Sequence, residues 1–200
     1  MFTIEQAKKE LEIAVQNNPG PWEQHCLVAA DNARRIAEKA GMDSEKAYIM
    51  GLLHDIGRRE GVTGMRHVID GYDYLMSLGE PELAVICLTH SFATQNVEHY
   101  EGKHDCSPAQ KAFIKEFLEN RVYDDYDKLI QLCDAVSLPE GACIMEKRFV
   151  DVALRHGMQA YTTKRWRAYL GLKKYFDGLC GCDIYTLLPN VYENTLRVNF

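Results

Sequence analysis

No stretch of this chain is apolar for long enough to cross a bilayer. Its longest apolar runs, AYIMGLL and LAVICL, fall far short of the roughly 20 residues that a spanning helix needs. The opening MFTIEQAKKELEIAVQ mixes charges and lacks the continuous apolar segment of a secretory signal, so a cytoplasmic protein without a membrane partner is expected. Positive charge is also scarce, with 23 Lys and Arg against 29 Asp and Glu and a net charge of −6. Such a chain as a whole repels nucleic acid and anionic lipid, so any anion must be met by a local basic patch or a metal ion. The cysteines lack a framework: there are seven, an odd number, scattered along the chain. That pattern excludes complete internal pairing and reads as free thiols in a reducing compartment. Cys180 and Cys182 lie close together, but no second pair completes a zinc site. Strand alternation, internal repeats and low-complexity segments are absent.

What is present is helical periodicity. At 46% hydrophobic and 26% charged residues, the composition is that of a globular protein. Residues 3–16 carry Ile4, Ala7, Leu11, Ala14 and Val15 on one stripe, and the Asn17–Pro21 segment ends that helix. A second helix follows over 22–40, with Trp22, Cys26, Ala29, Ala33, Ile36 and Ala37 on its apolar face. Asp43 or Ser44 caps a third, predicted to run to about Ile56. Gly57, Gly61 and Gly64 mark a loop, and helices are predicted over 65–78 and 81–89. The polar stretch 91–106 reads as a long loop. Ser107 and Gln110 have capping-box spacing with Pro108 at the first helical position, which starts a helix to about Arg121. Further helices are predicted over 126–137, from Pro139 through Arg155, and from Thr162 or Thr163 to about Asp177. The tail from Asp183 to Phe200 is ambiguous. The expected architecture is one all-α domain over 1–200.

Three of these helices carry chemistry. His54-Asp55 closes the apolar run AYIMGLLHDIG, His25 lies beside the core face of the second helix, and Asp134 lies in LIQLCDAV. Imidazole and carboxylate together suit a first-row divalent metal. Consecutive residues on a helix point about 100° apart, so His54 and Asp55 can reach one ion only if it lies over the helix end. A lone buried carboxylate at 134 would be costly without a cation or several donors. Each residue alone has an ordinary explanation: a hydrogen-bonded core histidine, an aspartate paired with Arg58 or Arg59, a satisfied helical acid. The ordered set on three apolar-faced helices favours a shared ion.

In this order, His25, His54-Asp55 and Asp134 resemble the H…HD…D signature of the HD-domain metal-dependent phosphohydrolase superfamily. The resemblance covers about 21–137, implying a five-helix core with a helical extension over about 138–200. His104-Asp105, in the polar setting HYEGKHDCS, is read as a decoy. The resemblance implies hydrolysis of a phosphate ester of a small phosphorylated compound, a nucleotide or dinucleotide. It also implies one or two divalent ions: Fe, Mn, Co, Ni or Zn. In binuclear subfamilies, such as the symmetrical dinucleoside-tetraphosphatase-like proteins, positions similar to His67 and His90 supply a second ion and Asp55 would bridge; the resemblance to mononuclear members instead implies that His67 and His90 bind phosphate directly. The chain departs from the HD-GYP subfamily: Ser91 follows His90, and Gly71-Tyr72-Asp73 is not the GYP loop. Cyclic-dinucleotide hydrolysis therefore ranks low.

A phosphate needs positive partners beyond the metal. Arg58 and Arg59, directly after the motif, are the first candidates, with Arg66 beside His67. Lys103, Lys147 and Arg148 are weaker choices. Asp70, one turn from His67, and Asp73, nearly two turns on, are candidates for orienting His67 or for proton transfer, with Asp70 preferred. The basic, aromatic segment KRWRAYLGLKKYF (164–176) is expected to pack Trp166 and Leu170 on the core and turn its lysines to water. His99 and His156 are assigned no site role. The competing readings are a helical sensor or regulatory module with little turnover, and a structural bundle without metal. Homodimerisation is left open.

Overall fold

Capping residues set most of the element boundaries. The computed structural model describes residues 1–197. Thr3 and Gln6 form a capping box at the start of α1 (Ile4–Asn17). After the Pro-Gly-Pro break comes α2 (Trp22–Lys39), closed by Gly41 at a positive φ of 73°. Asp43 caps α3 (Ser44–Leu53) by accepting from the amides of Glu45 and Lys46. This helix is shorter than expected: it stops at Leu53, and a 3-10 turn occupies Ile56–Glu60. Then come α4 (Arg66–Ser77) and α5 (Pro81–Thr89). A short 3-10 turn, Val97–His99, interrupts the long 91–106 segment. The expected capping box of Ser107 and Gln110 opens α6 (Pro108–Asn120), and Asp124 with Asp127 opens α7 (Asp125–Ala135).

Pro139 does not open a helix. It is the first of two turn residues between β1 (Ser137–Leu138) and β2 (Gly141–Ala142), an antiparallel pair with Leu138 opposite Gly141. Proline's fixed φ suits the first corner of a turn as well as a first helical turn, and Gly141, at φ 138°, cannot begin a helix. The next helix, α8 (Met145–His156), therefore starts later. Next are α9 (Thr162–Cys180), a 3-10 turn at Ile184–Leu187, and α10 (Val191–Leu196). The ambiguous tail is thus partly helical; its last three residues lie outside the described residues. The fold is all-α, with the two-residue hairpin as its one sheet among the described residues. No helix in them is long and apolar enough to cross a membrane.

Close approach of backbones brings the chemistry-bearing segments together. Gly51 of α3 faces α2: a Cβ there would lie 2.8 Å from Ala30 Cα and 3.0 Å from the Ala29 carbonyl oxygen. Small residues on both sides let these helices pack tightly, which carries His54 toward His25. Gly57, in the 3-10 turn, presses on α4, where a Cβ would overlap the His67 carbonyl and the Gly71 amide. Gly71 in turn packs on Cys87 of α5. The segment after His54-Asp55, α4 and α5 therefore stack through two glycines. Buried polar links fix α7: Thr89 donates to fully buried Asp127 at 2.8 Å, and Gln131 donates to the Thr89 carbonyl at 2.9 Å. Arg121 donates to the other Asp127 oxygen at 2.7 Å.

The main apolar cluster runs from Ala7 to Val191 and includes Phe176 of α9. A smaller cluster, with Met65, Leu88, Phe92, Tyr100 and Ile114, lies under α4, α5, α6 and the long loop. On α9, Phe176 is buried and Trp166 is stacked on Phe149 of α8 at 5.3 Å, but Leu170 is exposed rather than packed. All seven cysteines are free.

Candidate metal centre

The four histidines expected at the site share one arrangement. Each donates Nδ1–H to a backbone carbonyl: His25 to Ser137 at 3.2 Å, His54 to Gly51 at 2.7 Å, His67 to Gly64 at 2.6 Å and His90 to Cys87 at 2.9 Å. These bonds fix the tautomer and leave each Nε2 lone pair facing inward, as metal-ligating histidines are held. The Nε2 atoms of His25 and His54 stand 3.2 Å apart, and those of His67 and His90 stand 3.3 Å apart. Two acceptor lone pairs that close repel each other unless a cation lies between them.

Asp55 lies between the two histidine pairs. Its Oδ1 is 3.1 Å from His67 Nε2 and 3.4 Å from His90 Nε2, while its Oδ2 is 3.9 Å from His54 Nε2. Two trios result, His25–His54–Asp55 and Asp55–His67–His90, all buried, with ligand atoms in each within 4.8 Å of one another. Asp55 is common to both. Both His54 and Asp55 contribute because α3 has already ended: His54 is its C-cap and Asp55, at φ −104° and ψ 15°, has left the helix. Asp134 joins from α7, with Oδ1 3.0 Å from His25 Nε2.

Burial and neighbouring charges set the ionisation of the groups around the centre. Burial would raise the Asp55 carboxyl, but the Arg58 guanidinium, 2.5 Å away, holds it well below the usual carboxylate range. Burial likewise opposes ionisation of Asp134, while the neighbouring Arg148 charge favours it. Burial pushes His54 down to about 4, and burial with the nearby Arg58 charge lowers His67. Both imidazoles are thus neutral and able to ligate at neutral pH. Asp55 Oδ1 is buried with no hydrogen-bond partner, an unusual condition for a carboxylate oxygen. An orphaned anionic oxygen bracketed by two imidazole lone pairs fits a divalent cation. The chain belongs to the HD-domain family. The family's HD domain model matches residues 22–138, more than half of the chain, from the start of α2 to the end of β1. No curated protein and no solved structure matches the chain.

In this HD domain the centre opens into a cavity of about 500 Å³. Its inner end carries His25, Asp55, His67, His90 and Asp134, with Arg58 beside them. The other expected anion contacts are elsewhere. Arg59 lies over the Tyr74 ring at 3.6 Å, and Arg66 pairs with Asp70 at 2.9 Å on the outer side of α4. None of Arg59, Arg66 and Asp70 lines the cavity, and Asp73 is exposed. Lys103 is exposed, and Lys147 donates to the carbonyls of Asn194 and Thr195 at 2.7 and 3.1 Å.

The outer wall comes from the extension beyond the matched domain. Arg148, Phe149, Val152 and Arg155 of α8 line it, with Arg165, Trp166 and Tyr169 of α9. Arg148 reaches Asp134 Oδ1 at 3.7 Å and Asp151 at 3.0 Å, and Arg165 pairs with Glu101. His156 also lines the cavity, contrary to the sequence expectation; His99 instead stacks on Tyr161 at 4.9 Å. In the sequence, Arg148 stood only among the weaker candidates for phosphate contact. The i, i+3/i+4 spacing of Arg148, Val152 and Arg155, continued across the next helix by Arg165 and Tyr169, is the one signal that could have found this wall.

Proposed function

We propose that this protein is a metal-dependent phosphohydrolase that cleaves a phosphate ester of a small phosphorylated compound, a nucleotide or dinucleotide, with water as nucleophile. The HD-domain family consists in general of metal-dependent hydrolases. The observation that carries the reading is Asp55, whose unpartnered Oδ1 and paired Oδ2 face two histidine pairs at the floor of a cavity. His25, His54, Asp55 and Asp134 would hold one ion; Asp55, His67 and His90 would hold a second. With mixed imidazole and carboxylate ligands, Fe, Mn, Co, Ni and Zn all suit the set. Such ions lower the pKa of water and polarise a phosphoryl oxygen.

The chain's own groups do the remaining work. Arg58, anchored on Asp55 Oδ2, and Arg148, beside Asp134, are the guanidiniums closest to the ligand set, and we assign them contact with the phosphoryl oxygens. Five carboxylates and four guanidiniums line the cavity, so bound cations are needed before it attracts an anion. The aromatic wall of Phe149, Trp166 and Tyr169 can cover a planar base while excluding water. The buried Tyr100 phenol, which burial raises above its ordinary value, stays neutral and offers a proton to hydrogen-bond with substrate.

The test is hydrolysis by metal-loaded protein of nucleoside monophosphates, dinucleoside polyphosphates, a generic phosphomonoester and a generic phosphodiester. Turnover of at least one class is expected, falling by about a hundredfold or more in His54→Ala. Metal binding without turnover on any of them would replace this reading with the sensor or regulatory module.

A further inference from the structure

The second HD pair, His104-Asp105, lies in a polar loop between His90 and Asp134 in the sequence. Its aspartate nevertheless reaches the turn that opens α4. Asp105 Oδ2 accepts from the Gly64 amide at 2.6 Å, and Oδ1 accepts from the Arg66 amide at 2.8 Å. Between them, the Met65 amide donates to the Lys103 carbonyl at 2.8 Å. Three consecutive amides are therefore held by one short segment. These are among the unsatisfied donors at a helix start, and Met65, the N-cap residue, has no side-chain acceptor for them. The fit is close enough that a Cβ on Gly64 would overlap the Lys103 carbonyl oxygen. The two amide bonds and the Lys103 charge hold the Asp105 carboxyl below its ordinary range despite partial burial.

The same turn orients His67. The Gly64 carbonyl accepts the His67 Nδ1 proton at 2.6 Å, and that bond directs Nε2 to Asp55 Oδ1 at 3.1 Å. Gly64 is thus gripped at its amide by Asp105 and presents its carbonyl to His67. We propose that Asp105 is a positioning residue for the Asp55–His67–His90 trio, setting the affinity of the second ion without touching it. The two histidines of the opposite trio are oriented elsewhere, His25 by Ser137 and His54 by Gly51. Asp105 should therefore act on one ion and leave the other.

The inference rests on the binuclear reading above, and its test separates the two. Metal-free wild type, Asp105→Asn and Gly64→Ala are titrated with Mn²⁺ by calorimetry, with thermal midpoints measured in parallel. In Asp105→Asn an amide NH₂ replaces one acceptor and faces a backbone N–H. Gly64→Ala pushes away the Lys103 carbonyl and disturbs the turn from the other side. Both variants are expected to weaken the second ion by about tenfold or more, the effect known for residues that orient metal ligands, with the first ion held within about twofold. Two ions at wild-type affinities in both variants, or equal weakening of both ions, would overturn the positioning role. Fewer than two ions in wild type would overturn the binuclear reading and this inference with it.

Discussion

At the scale of single residues, direction matters more than type. Arg58 and Arg59 are adjacent and chemically identical, yet one lies on Asp55 and the other on the Tyr74 ring. Sequence marked both as anion contacts because both follow the motif; on a 3-10 turn nothing in the residue types separates them. His25, His54, Asp55 and Asp134 were legible because four uncommon groups recur in order on apolar-faced helices. Arg66 and Asp70 were misjudged because proximity in sequence to His67 does not give the helix face, and the two simply pair with each other. Arg58 yields a direct test. Removing the guanidinium leaves the buried Asp55 carboxylate without its principal counter-charge, a loss that costs about 3 kcal/mol for a buried pair. Metal-free Arg58→Ala should therefore unfold at lower urea than metal-free wild type, and saturating Mn²⁺ should recover most of the difference, because a cation on Asp55 replaces the lost charge. An unfolding midpoint equal to that of wild type without metal would show that Asp55 does not depend on Arg58.

At the scale of elements, most helix starts were legible, while the stop of α3 and the start of α8 were not. Capping boxes at Thr3 and Ser107 and the Asp43 cap appear where polar side chains precede apolar stripes. No glycine or proline directly follows Leu53 at the early end of α3; Gly57, which suggested an end, acts four residues later by letting the 3-10 turn meet α4. Pro139 was ambiguous by nature, since its fixed φ serves a turn corner and a helix start alike. Gly57 is where the element packing can be tested. Its added Cβ would overlap backbone of α4 rather than a flexible side chain, so the turn must move. Gly57→Ala should cost about 3 kcal/mol, the upper part of the range for overpacking. Because the displaced backbone includes the His67 carbonyl, the variant should also bind its second ion more weakly. A stable Gly57→Ala protein with both ions bound would show that the turn and α4 do not depend on this contact.

At the scale of the molecule, the fold class and the gathering of His25, His54, Asp55 and Asp134 could be read from the chain, and the cavity could not. Its outer wall is assembled from α8 and α9, which meet the centre only after the hairpin reverses the chain. Arg148 and Arg165 are ordinary basic residues in ordinary helices until that reversal brings them opposite Asp134 and Glu101. On the basic aromatic helix, Phe176 enters the core while Arg165, Trp166 and Tyr169 face the cavity. The central claim about the whole molecule is that two ions sit on one shared aspartate. The measurement that reaches it most directly is metal per chain by elemental analysis of anaerobically purified protein, beside a His67→Ala/His90→Ala variant. The account predicts about two ions in wild type and about one in the variant, consistent with a binuclear hydrolase. No metal in wild type, or the same content in both proteins, would contradict it.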